Sequence, residues 1–143
     1  MTGGEIGGLG GYAGVEQRPR IVIADDDAVV RQMLAATLSR WFDLVGVAED
    51  AAGAVDIAVR HLPDVALLDV QMPAGGGLWA TRRISELAPA TAVVLLSGDE
   101  YRDSVVEFMN VGATTYLRKG IADDLLTQRL LQSIAAHQRL AQH

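Results

Sequence analysis

The chain has 143 residues, half of them hydrophobic and 5% aromatic, which suits one domain with a core of Ala, Val, Leu and Ile. Its formal net charge is −6, its basic residues form only short pairs such as Arg82-Arg83, and it has no cysteine. These features argue against nucleic-acid binding by this domain and exclude a disulfide frame or a thiolate metal site. The start, Met1-Thr2-Gly3-Gly4, lacks the cationic and apolar regions of a secretory signal, and the longest aliphatic run, Ala92 to Leu96, is far too short to span a bilayer. No membrane association is therefore expected.

In chain order, residues 1–18 are crowded with glycine and read as a flexible leader. Gly8 to Ala13 matches a dinucleotide-binding fingerprint in letters only, because no strand precedes it. From Arg20 the pattern alternates. A strand at 20–25 leads to a helix over 27–41, where Val30, Leu34 and Leu38 repeat at helical spacing. Asp27 reads as the cap of that helix. A strand at 44–48 precedes a helix at 51–61, and a third strand covers 64–69. The Gly-rich loop from Ala74 to Gly77 opens a helix over 77–88, which Pro89 ends. A fourth strand at 92–97 is followed by a helix at 100–111, stopped at Gly112. A fifth strand at 114–118 precedes a last helix from about 121, with Leu125, Leu126, Leu130 and Ile134 on its apolar face.

Five strands alternating with five helices predict a doubly wound, parallel, three-layer α/β sandwich, occupying residues 19–137. Residues 138–143 read as a tail or the start of a linker. In such sheets ligands bind beyond the carboxyl ends of the strands. Asp25, Asp26, Asp69, Ser97 and Lys119 all stand at those ends. Gathered carboxylates need a compensating charge, and all-oxygen donors favour Mg²⁺, or Mn²⁺, over zinc. An Asp nucleophile beside a metal and a Lys suits attack on phosphorus.

These residues resemble the receiver domain of two-component response regulators, a CheY-like, flavodoxin-like (βα)5 fold. The resemblance covers about residues 19–137 and rests on Ile-Val-Ile-Ala-Asp25-Asp26, on Leu-Leu-Asp69-Val-Gln-Met72-Pro73 with Gly77 beyond, on Leu-Leu-Ser97-Gly98, and on Gly112-Ala113 followed by Tyr116-Leu-Arg-Lys119. It implies that Asp69 accepts a phosphoryl group from a histidine kinase or histidine phosphotransfer protein. Asp25, Asp26, Asp69 and the Gln71 backbone carbonyl would hold Mg²⁺. Lys119 and Ser97 would bind the phosphoryl group, and Tyr116 would turn inward as the coupled aromatic. Gln71 and Asp99 occupy the positions that tune dephosphorylation.

The readout face implied is the fourth helix, fifth strand and fifth helix, where Val105 and Met109 are expected to be partly exposed and Val106 and Phe108 to join the core. An output domain or downstream protein would read that face, and a homodimer through it is a further expectation. The resemblance also implies a bacterial, cytoplasmic signalling domain that assists its own phosphorylation and dephosphorylation and is not otherwise an enzyme. Gly120 follows Lys119 where many members have proline. The competing reading is a Mg²⁺-dependent small-molecule phosphatase or phosphotransferase working through an aspartyl-phosphate. Such enzymes often carry a second acid two residues past the nucleophile, and here that position is Gln71.

Overall fold

The computed structural model describes residues 17–98 and 102–141, with only the backbone of residues 102–104. The first sixteen residues of the expected leader, Asp99, and the last two residues lie outside the described residues. The elements are β1 (Arg20–Ala24), α1 (Ala28–Leu38), β2 (Asp43–Ala48), α2 (Ala51–His61), β3 (Val65–Asp69), α3 (Gly76–Leu87), β4 (Ala92–Ser97), α4 (Arg102–Asn110), β5 (Thr115–Arg118) and α5 (Asp123–Ala141). Five parallel strands form one sheet in the order β2-β1-β3-β4-β5. This is the predicted doubly wound architecture. The order reverses beside β1 and β3, so their carboxyl ends border the crevice where such sheets bind ligands.

Every residue of β3 and β4 is buried, as expected of central parallel strands covered on both faces. One face packs against α2, α3 and α4 through residues such as Ala54, Ala58, Ile84 and Phe108. The other packs against α1 and α5 through Leu38, Leu126, Leu130 and Ile134. Caps set the helix starts. Asp27 Oδ1 accepts the N–H groups of Val29 at 2.8 Å and Val30 at 3.3 Å, which makes it the N-cap of α1. Asp50 does the same for α2 through the Gly53 N–H at 2.7 Å.

Two expectations about the core need correction. Val106 is 65% exposed, because Phe108 is the buried residue among the described side chains of α4 and a residue two places away points to the opposite side of a helix. Leu125 is 39% exposed, since it lies one residue, or about 100°, off the Leu126–Leu130–Ile134 stripe. Val105 is half-buried and Met109 is exposed, as expected. Among the described residues no helix is long and apolar enough to cross a membrane.

Candidate functional site

The strand runs deliver the acids as their sequence spacing predicts. β1 ends at Ala24, and the next residue, Asp25, is buried; Asp26 beyond it is exposed. β3 carries Asp69 as its last residue, also buried. One carboxylate oxygen from each of Asp25, Asp26 and Asp69 lies within 4.8 Å of the others. Lys119, just past β5, bridges the two buried acids: its Nζ is 3.0 Å from Asp25 Oδ2 and 3.3 Å from Asp69 Oδ2. A cleft of about 300 Å³ opens over the group, lined by Asp26, Asp69, Gln71, Ser97 and Lys119 among others.

Local backbone geometry fixes these side chains. Asp25 Oδ1 accepts the Asp27 N–H at 2.9 Å, and Asp69 Oδ1 accepts the Gln71 N–H at 3.3 Å. Ser97 is buried at the end of β4, and its carbonyl accepts the Lys119 N–H at 2.8 Å, which ties the lysine loop to that strand. Lys119 is followed by Gly120 at φ +89°, a conformation a proline ring forbids. Gly77, the second residue of α3, lies against the loop after Asp69, with its N–H on the Val70 carbonyl at 3.0 Å. A Cβ at Gly77 would stand 2.8 Å from Val70 O and 2.9 Å from Asp69 O, so only glycine lets the helix approach this closely.

The electrostatics are those of crowded like charge. Burial, and then the charge of Asp25, push the Asp69 carboxyl above the usual carboxylate range, against the opposing pull of Lys119 and the Gln71 N–H. Burial pulls Lys119 down, but its hydrogen bond to Asp25 and the charges of Asp69 and Asp25 outweigh it and hold the ammonium above its ordinary value. Asp25 Oδ2 is fully buried and, beyond its pairing with Lys119 Nζ, has no other hydrogen-bond partner among the described residues. A buried carboxylate oxygen left in that state, facing two more carboxylates, fits a hard divalent cation with all-oxygen donors. Asp25, Asp26 and Asp69 are the side chains that could hold it.

The structure thus brings together Asp25, Asp26, Asp69, Gln71, Ser97 and Lys119. It does not bring Tyr116 to the cleft. That ring packs into the α2–α3–α4 face of the core, 5.9 Å from Phe108 between centroids and tilted by 56°, with its hydroxyl buried and unpaired. Asp99 falls outside the described residues. Sequence reasoning missed Arg31, whose Nη1 donates to the Asp25 carbonyl at 2.8 Å and clamps the acidic loop from the first turn of α1.

Comparison with known proteins agrees with this geometry. The family model for the response regulator receiver domain matches residues 21–131. The oxygen regulatory protein NreC of Staphylococcus epidermidis is 37% identical over 110 residues, covering 75% of this chain and 50% of that protein. The transcriptional regulatory protein PdtaR of Mycobacterium tuberculosis is 38% identical over 101 residues, covering 70% of this chain and 49% of that protein. The chain therefore spans about half the length of these relatives. Among solved structures, the receiver domain of the response regulator NarL from M. tuberculosis superposes with a TM-score of 0.79 at 29% identity, covering 82% of this chain and 97% of that one. A CheY-like receiver domain from Methanospirillum hungatei shares the fold at TM-score 0.79 and 20% identity, covering 85% and 97% of the two chains. The chain belongs to the response regulator receiver domain family.

Proposed function

We propose that Asp69 accepts a phosphoryl group from a phosphohistidine on a histidine kinase or histidine phosphotransfer protein, in a Mg²⁺-supported reaction. The observation that carries this reading is the convergence of Asp25, Asp26 and Asp69 within 4.8 Å, with Lys119 bridging the two buried acids. In the transfer, an Asp69 oxygen forms the new bond to phosphorus as the nitrogen–phosphorus bond of the donor breaks. The electron pair of that bond returns to the donor imidazole. Lys119 stays charged, because its neighbours hold its proton, and it pairs with the arriving phosphoryl oxygens. Ser97, at the cleft wall, offers them a hydroxyl. A bound divalent ion would offset the carboxylate repulsion and the added phosphoryl charge, held by the three acids and the Gln71 carbonyl.

The readout we assign to α4, β5 and α5. Phosphoryl charge at Ser97 and Lys119 alters the β4 and β5 ends, and Tyr116 on β5 touches Phe108, the buried anchor of α4. Gln71 and Asp99 would tune the phosphate lifetime. Exposed Val106 and Met109 suit contact with an output domain, a cytoplasmic target or a second copy. Sedimentation that finds only monomers at high concentration, phosphorylated or not, removes the second copy.

The test of the phosphoryl step is direct. Protein incubated with Mg²⁺ and acetyl phosphate should gain one acid-stable, base-labile phosphate by intact mass, absent in Asp69→Asn. Multiple turnover of an added phosphate ester would instead favour the hydrolase. No adduct from either a small donor or a cognate kinase would end the proposal.

A further inference from the structure

Asp25 has each of its polar groups engaged. Its N–H donates to the Ala48 carbonyl at 3.1 Å, its Oδ1 accepts the Asp27 N–H at 2.9 Å, and its Oδ2 pairs with Lys119. Its carbonyl accepts from Arg31 Nη1 at 2.8 Å. Asp26 is held differently. It is exposed, and among the described residues no hydrogen bond or ion pair fixes its carboxylate. Yet one of its oxygens stands within 4.8 Å of those of Asp25 and Asp69.

What aims Asp26 is therefore backbone. The peptide between Asp25 and Asp26 is planar, so the Asp25 carbonyl and the Asp26 N–H turn together. Arg31 grips that plane by its carbonyl. Its own N–H donates to the Asp27 carbonyl at 3.0 Å, which closes the first turn of α1 behind the Asp27 cap. The half-buried side chain then folds back onto Asp25. The acidic loop is thus pinned from both sides: β2 holds the Asp25 N–H, and α1 holds the Asp25 carbonyl.

We propose that Arg31 is a positioning residue for the cation site. By fixing the Asp25–Asp26 peptide plane, it holds the Asp26 carboxylate where one divalent ion can reach it together with Asp25 and Asp69. This role rests on the proposed binding of such an ion by the three acids. The guanidinium also carries a positive charge, which by itself opposes a cation. The two effects have opposite signs. Loss of the charge alone tightens metal binding, and loss of the grip weakens it. Groups that orient metal ligands without touching the metal govern affinity by about 10–100-fold. The charge acts through a partly solvated loop and is screened by salt, so the grip decides the sign.

Mn²⁺ is the probe, because the free ion gives a paramagnetic resonance signal that the bound ion loses. Binding is then read without phosphoryl transfer. Arg31→Met keeps the apolar stem and removes both the donor and the charge. Its Mn²⁺ dissociation constant should rise by about tenfold or more over the wild-type protein. Arg31→Gln loses the same charge on a shorter stem and should shift the same way, so the result does not hang on one variant's folding. Urea titrations in chelator give the folded fraction of each. In an Asp26→Asn background, Arg31→Met should change the constant by less than about twofold, because the carboxylate it aims is gone. Equal or tighter binding by the Arg31 variants would overturn the proposal. So would a loss that persists undiminished without the Asp26 carboxylate. A wild-type protein that binds no Mn²⁺ would remove the cation of the proposed function and the role of Arg31 with it. A wild type that binds, beside Arg31 variants that bind as well, removes the role of Arg31 alone.

Discussion

Asp69→Asn should make the metal-free protein more stable at neutral pH. Asp69 lies within 4.8 Å of both Asp25 and Asp26, and 3.3 Å from Lys119 Nζ. At an effective dielectric of about 20, each carboxylate at that distance repels it by about 3.5 kcal/mol, while Lys119 attracts it by about 5 kcal/mol. Asp26 is exposed, so solvent screening cuts its share by roughly half or more. The charge interactions then nearly cancel, and the desolvation of a buried carboxylate decides the sign. Asparagine keeps the shape and an oxygen for the Gln71 N–H but sheds that penalty. The expected gain is about 1–2 kcal/mol, or roughly 3–6 °C in Tm. The pH dependence follows from the raised carboxyl of folded Asp69. The folded state binds this proton more tightly than the unfolded chain, so the penalty is absent below the ordinary Asp range. It grows as pH rises and is complete above the raised value. Urea titrations in chelator, at neutral pH and near pH 3, measure both limits. A loss of stability at neutral pH, or a gain that persists undiminished at acid pH, would refute the reasoning.

Lys119→Ala removes the partner of buried Asp25, and should cost about 2–4 kcal/mol in chelator, less than a fully buried pair because the lysine side chain is 29% exposed. Added Mg²⁺ should recover part of the loss, read by the same urea titrations. Gly77→Ala forces a methyl against the carbonyls of Val70 and Asp69, and should cost about 2–4 kcal/mol and slow adduct formation with acetyl phosphate, followed by intact mass. Asp27→Ala removes a cap and should cost about 1 kcal/mol in urea without abolishing the adduct.

The alternation of elements was legible because parallel strands buried on both faces read as uninterrupted apolar runs, as in Val65 to Leu68 and Ala92 to Leu96. The cleft was legible for the same reason: each run stops where its polar residue begins, and the sheet geometry makes those stops neighbours. Single-residue orientation was harder. Val106 and Leu125 sit in locally apolar stretches, and only the packed helix axis decides which of two adjacent residues faces inward. Arg31 escaped because its partner is a backbone carbonyl, which no side-chain pattern announces.

Under the proposed function, the crowded charge of Asp25, Asp26 and Asp69 is what a cation or a phosphoryl group would act on. A domain that held Asp69 in a relaxed, neutralised pocket would gain little from a cation or a phosphoryl group. Here Asp25 Oδ2 is buried with Lys119 as its one described partner and Asp69 resists ionisation, so ligands that redistribute charge would act on a site already out of balance. The imbalance reaches outward along one short path. Ser97 and Lys119 end β4 and follow β5, the Lys119 N–H is bound to the Ser97 carbonyl, and Leu95 pairs with Tyr116 in the same two strands. Tyr116 carries its own unpaired buried hydroxyl beside Phe108, the only described side chain that α4 buries. Under the proposed readout, a phosphoryl group at Ser97 and Lys119 would act on α4 through this Tyr116–Phe108 contact.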